Sequence, residues 1–210
     1  ASRTEMLRAI FGVDAKLSGQ LRVEGEPLVA GSVARSIERG LGLVPEDRKR
    51  HGIVLEMSVR ENIGLAGLSR HRYPGGFLNR SQETADTKQM VDTLSIKTPS
   101  TRQIVRYLSG GNQQKVVIGK WLALMPRGLL LDEPTRGIDV GAKEEIYRLM
   151  EALAQQGMAI LFVSSEMEEI IEMSDRTLVL HEGAITGELA RDALSEEAIM
   201  QLAPGNPMAA

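Results

Sequence analysis

The 210-residue chain contains no cysteine, which excludes disulfides and thiolate-held metals and agrees with a reducing compartment. It also lacks any apolar run near the roughly 20 residues of a membrane-spanning helix, and it has no charged-then-apolar leader at its start. Any role at a membrane is therefore expected to run through a partner protein. A charge excess is missing too: 25 Lys and Arg against 28 Asp and Glu leave a net charge of -3, with both signs interspersed. That balance argues against a protein that coats nucleic acid. No internal repeat or low-complexity tract interrupts the chain. What is present, 42% apolar and 25% charged residues, is the composition of an ordinary globular domain able to bury one core.

Two stretches carry most of the functional signal. Leu108-Ser109-Gly110-Gly111-Asn112-Gln113-Gln114 reads as the opening turn of a helix, with Ser109 as N-cap and two glycines that let a bulky anion approach the exposed backbone N–H groups. The apolar run Leu129-Leu130-Leu131 lacks the alternation of a half-exposed strand and so predicts a buried parallel strand. It ends in Asp132-Glu133-Pro134-Thr135, at the strand end where open α/β sheets bind ligands. Taken singly, each has a plain alternative: a Ser-Gly-Gly turn, or an acidic loop that caps the next helix. Their order, with a helix-sized spacer between them, is far more specific than either alone.

In that order Leu108 to Gln114 resembles the signature motif of ATP-binding-cassette ATPases, Leu129 to Glu133 their Walker B strand, and Gly137-Ile138-Asp139 their D-loop. Pro45-Glu46-Asp47-Arg48-Lys49 further resembles the second cassette of bacterial monosaccharide importers of the ribose, xylose and galactose type. The resemblance implies an α/β, P-loop NTPase core with a mainly parallel sheet, an antiparallel β edge and a helical subdomain inserted over roughly 45 to 106. It implies one cassette over 1 to 210, with the family's N-terminal strand and most of its P-loop expected upstream of Ala1. Against the end of that loop, Ser2 takes the place of the last glycine, Arg3 that of the lysine and Thr4 that of the Mg²⁺-binding hydroxyl. A solvated helix start is the plain alternative for Arg3 and Thr4.

The same resemblance assigns the remaining roles. Glu133 polarises the attacking water, and Asp132 holds Mg²⁺ together with Thr4. Glu46 stands where the family carries a glutamine, either facing the metal or paired in its loop with Arg48. Ser165 stands where the family carries a histidine, and His51, His71 and His181 all lie elsewhere in the sequence. Either Ser165 faces the γ-phosphate, or Ser164 or Ser165 caps a helix from Glu166 to Met173. Ser109, Gly110, Gly111, Gln113 and Asp139 are implied to meet ATP held by a second cassette.

The implied partners are that cassette, a membrane permease and, indirectly, a periplasmic sugar-binding protein, at the cytoplasmic face of the inner membrane; nucleic acid is not expected. Substitution at Arg3, with Glu46 and Ser165, implies a weakened site on this side and an intact signature serving the other; with the backbone phosphate cradle expected largely upstream of Ala1, the isolated chain is expected to bind nucleotide weakly. A silent dimerisation module and a non-transport cassette remain the alternatives.

Elsewhere the pattern predicts helices over Met6 to Phe11, Ser32 to Arg39, Ser58 to Ala66 and Ser81 to Leu94. A further helix follows the signature with Val117, Trp121, Leu124 and Met125 on one face, and another buries Ile146, Leu149, Met150 and Leu153. Strands are predicted at Leu41 to Val44 and, buried, at Met158 to Val163. Hairpins are expected around Glu24-Gly25 and Glu182-Gly183, a surface loop over Ser69 to Arg80, and a last helix capped by Ser195.

Overall fold

A computed structural model of the protein describes residues 2–16, 18–68 and 77–204. Most of the surface loop expected over Ser69 to Arg80 lies outside the described residues. The centre is a parallel sheet in the order β3 (Leu41–Val44), β4 (Gly128–Asp132), β5 (Ala159–Val163). Leu41 pairs with Gly128 and Val44 with Leu131; on the other side Gly128 pairs with Ala159 and Asp132 with Val163. All five residues of β4 are buried, as a continuous aliphatic run between two neighbouring strands requires.

Helix α1 (Ser2–Phe11) and helix α5 (Gly110–Leu122) pack on this sheet, and the Phe11 ring meets Trp121 of α5 edge-on, centroids 5.4 Å apart. Close approach of α5 depends on Gly42 in β3, where a Cβ would fall 2.9 Å from both Leu129 and Trp121 side-chain atoms. Helix α5 is buried on nearly every face, Lys115 and Lys120 included. Each of these lysines has a partner: Lys115 Nζ lies 2.7 Å from the Glu145 carboxylate, and Lys120 Nζ donates to Gly52 O at 2.6 Å. Burial without compensation would be costly, and here it pushes the Lys120 pKa down to about 8.

Between β3 and α5 the described residues carry helix α3 (Val59–Gly64), opened by the Ser58 and Glu61 capping box, and helix α4 (Arg80–Thr93). Ile63 and Leu94 are buried from this stretch, in the same core as Val116 and Ile118 of α5. After β4, helix α6 (Val140–Gln155) buries Ile146, Met150 and Leu153. A second, smaller core joins the antiparallel hairpin of β6 (Arg176–His181) and β7 (Ala184–Ala190) to helix α8 (Glu196–Leu202), through Val179, Leu189, Ile199 and Leu202. The short strands β1 (Arg22–Val23) and β2 (Glu26–Pro27) form the first hairpin, and helix α2 (Val33–Glu38) is capped by Ser32.

Two expectations are corrected. The strand at Met158 to Val163 is not fully buried: Ala159 and Leu161 are exposed, Ile160 and Phe162 half-buried. Among the described residues β5 pairs only with β4, and β6 only with β7. A cleft of about 1110 Å³ separates the two unpaired edges, lined in part by Ile160, Phe162, Leu178 and Leu180. Met125 does not continue the apolar face of α5, because the helix ends at Leu122 and Met125 turns outward with φ 51°, largely exposed.

These placements predict unequal penalties. Leu131→Ala at the sheet centre is expected to cost about 3 kcal/mol, whereas Leu161→Ala on the open edge costs under about 1 kcal/mol, by urea denaturation. Equal losses would contradict the edge position of β5.

Candidate functional site

Parallel pairing brings the C-terminal ends of the three strands to one rim, and the site grows from there. Asp132 closes β4 with its residue 3% exposed. Burial pushes its carboxyl pKa up, and the hydroxyl of Thr4, donating to Oδ1 at 3.2 Å, pulls it back. Glu133 then leaves the strand in the left-handed region, φ 49°. That conformation costs an L residue about 1 kcal/mol. Two backbone bonds hold it: the Glu133 N–H donates to Val163 O at 2.9 Å, and the Glu133 carbonyl accepts from the Arg136 N–H at 3.1 Å.

The twist aims the Glu133 carboxylate at the end of β5. There the Ser165 hydroxyl donates to Oε2 at 3.0 Å, and Arg3 Nη2 stands 3.9 Å from Oε1. Arg3 Nη1 in turn donates to the Ser164 carbonyl at 2.7 Å, so the first turn of α1 is fastened across the rim. Arg3, Thr4, Glu46, Glu133, Arg136, Val163 and Ser165 together line a cavity of about 370 Å³. Glu46 is in that lining, but its ion pair is with Arg136 and not with Arg48, whose guanidinium is bound to backbone carbonyls instead. Ser2 is the first residue of α1.

Beneath the cavity lies a network that the sequence did not announce. Glu169 of helix α7 (Met167–Met173) is 2% exposed; its carboxylate accepts from the Thr135 hydroxyl at 3.1 and 3.2 Å and from the Ser164 hydroxyl. Burial pushes its pKa up, while those two hydroxyls pull it down. Glu168 and Glu172 on the same helix are exposed, and nothing in their spacing sets Glu169 apart. Ser164 Oγ also accepts from the Glu166 N–H at 3.0 Å. Of the two serines, Ser164 therefore serves the start of α7, and Ser165 serves Glu133.

The signature stretch faces elsewhere. Ser109 caps α5, its hydroxyl accepting from the Asn112 N–H at 3.4 Å, and it is exposed, with Gly110 half-buried and Gly111 buried against Ala142. Gln113 is 4% exposed and donates to Val105 O and Leu108 O at 3.2 Å, bracing the turn before the helix. Asp139 caps α6 by accepting from the Ala142 N–H at 3.0 Å, beside the exposed Val140. None of these residues lines the Glu133 cavity.

Among the described residues no group of three or more His, Cys, Asp and Glu is arranged to hold a metal ion. The Thr4 hydroxyl and Asp132 carboxylate nevertheless present a hard-oxygen pair, which fits Mg²⁺, a cation that takes few protein ligands and keeps water and phosphate for the rest.

The raised pKa of Glu169 gives a signed expectation. In the unfolded chain an ordinary glutamate ionises near pH 4.3, whereas in the fold it ionises higher, so its stabilising balance is full below that value and declines as pH rises through the folded pKa. Glu169→Gln removes this loss. The thermal midpoint of the variant relative to the parent is expected to climb between about pH 4 and pH 7. A difference independent of pH would show that the carboxyl is not strained by burial.

Residues 3–136 match the family model described as ABC transporter. The chain is 48% identical over 205 residues to a protein of Bacillus licheniformis named ribose import ATP-binding protein RbsA, covering 98% of this chain and 41% of that protein. It is 49% identical over 210 residues to ribose import ATP-binding protein RbsA 1 of Rubrobacter xylanophilus, covering 100% of this chain and 42% of that one. The chain thus spans about two fifths of the length of the curated relatives it matches. Its fold is similar to a dimeric ATP-binding cassette solved with ADP and Pi: TM-score 0.74 at 20% identity, over 89% of this chain and 79% of that one.

Proposed function

The chain belongs to the ABC transporter family, and from that premise we propose that it is an energy-coupling cassette of a sugar importer, hydrolysing ATP with Mg²⁺ between itself and a second cassette. The observation that carries the reading is the rim itself: two consecutive acids at the end of a buried parallel strand, one bonded to Thr4 and the other turned toward Arg3 and Ser165. The names and identities of the ribose-import relatives support the choice of a sugar over other cargo.

Phosphoryl transfer to water asks a protein for position and charge compensation rather than covalent chemistry. Asp132 and Thr4 would hold Mg²⁺ through their oxygens, and Glu133 would orient a water and take its proton. When bound, Mg²⁺ supplies charge neutralisation to the phosphates. Ser109 and Gly110, with Gly111 buried behind them, present the start of α5 to a nucleotide seated on the partner cassette. Since this tip lies outside the chain's own acid cavity, the proposal needs two cassettes.

The two surfaces differ in fitness. Both Glu133 oxygens already face a donor of this chain, Arg3 on one and Ser165 on the other, and this, with Glu46 paired to Arg136, supports a degenerate site on this side. The tip keeps its glycines. A membrane permease and an external sugar-binding protein complete the proposed machine, with the cassette docked at the cytoplasmic face. No helix among the described residues is long and apolar enough to cross a membrane.

In the full-length protein, Gly110→Asp is expected to abolish ATP-driven sugar uptake, whereas Arg3→Ala lowers it by less than about threefold. Equal losses would reject the asymmetry. ATP turnover unaffected by Glu133→Gln would favour a silent module on this side.

A further inference from the structure

Between β3 and α3 the chain makes a five-residue π-helical turn, Arg48–Gly52, a conformation that is infrequent and tends to mark functional positions. The Asp47 carboxylate accepts from the Lys49 and Arg50 N–H groups at 3.0 and 3.1 Å, and the Ile53 N–H returns to Arg48 O at 2.9 Å. Lys120, rising from the buried middle of α5, donates to Gly52 O at 2.6 Å with its Nζ 5.2 Å from the Trp121 ring centre. Gly52 itself lies so close to α5 that a Cβ there would fall 2.9 Å from Val117. The turn is thereby riveted to the helix that carries the Ser109 tip.

From this anchored turn Arg48 reaches the loop that follows Glu133. Its Nη1 donates to Arg136 O at 2.9 Å and its Nη2 to Gly137 O at 3.0 Å. The same Nη2 fills the space beside Gly110, where a Cβ would come within 2.9 Å of it and 3.2 Å of Gly137 O. The ion pair between Glu46 and Arg136 ties the two segments a second time. The rigid planar fork holds the two consecutive carbonyls with one nitrogen each, a fixed geometry that a lysine ammonium on its flexible stem does not impose.

We propose that Arg48 is a positioning residue, whose guanidinium clamps the Arg136-Gly137 turn against the Gly110 tip of α5, holding the acid rim and the exposed tip in one register. Gly110 is then glycine for the sake of this clamp as well as for an approaching ligand. The kinetic part of the proposal rests on the ATPase reading above; the clamp itself does not.

The test uses the full-length protein with Arg48→Ala and the milder Arg48→Lys. Hydrogen–deuterium exchange of residues 109–114 and 136–143 is expected to rise about tenfold in Arg48→Ala and less in Arg48→Lys, with the amides of β4 unchanged. ATP turnover is expected to fall about tenfold in kcat, with KM for ATP within about twofold of the parent, because Arg48 orients the rim and tip without touching the nucleotide. Parental exchange in both segments would overturn the clamp, as would a rise that includes β4, or a higher KM at unchanged kcat. Absence of ATP turnover in the unaltered protein would instead overturn the ATPase reading, with exchange alone then deciding on the clamp.

Discussion

The rest of the structure depends on the in-register parallel pairing of three strands around a wholly buried β4. Parallel strands all point one way, so their C-terminal ends, and the first polar residue after each, are delivered to a single rim. Leu129, Leu130 and Leu131 fill the middle of the sheet, and the acids fall at its last residue, Asp132, and the one after it, Glu133. Hydrophobic burial thus sets the position of the acids as firmly as any bond they make. Everything else at the rim, Arg3 and Thr4 from α1, Glu46 after β3 and Ser165 after β5, arrives because its own element is packed against that sheet.

A second theme is the use of long cationic side chains to satisfy backbone carbonyls that secondary structure leaves open. Arg3 takes Ser164 O, Lys115 takes Ser95 O, Lys120 takes Gly52 O, and Arg191 gathers Ile171, Glu172 and Ser174 O at the end of α7. Helix ends and irregular turns strand carbonyls that must find donors once they are away from water. A charged donor is stronger than a neutral one, and a long stem lets it bridge elements far apart in sequence. Loops that border the site are thereby fixed without large cores of their own. Glu169 does the converse for hydroxyls, drawing Thr135 and Ser164 onto one buried carboxylate.

Much of this was legible in the chain. Ser58 and Glu61, Ser32, Ser109 and Ser195 each cap a helix, because caps depend on residues within one turn of each other. The apolar periods of α6 and the unbroken run of β4 likewise report burial directly. What the local sequence does not carry is set by distant partners. Whether Met158 to Val163 is covered depends on a neighbour across the sheet, and the alternation in its burial belongs to an edge. Which acid pairs with which base followed from the loop after Glu133, so Glu46 met Arg136 rather than its near neighbour Arg48. Gln113 reads as part of the tip by position, yet helical phase turns it inward. The π-helical turn and the buried Glu169 have no local signature at all.

The left-handed backbone at Glu133 bears on which residue the fold prefers at this position. Folding alone would favour glycine or asparagine there, since both tolerate that twist more readily than a long side chain. A change to glycine at residue 133 would relieve that twist, so the fold itself does not ask for glutamate there.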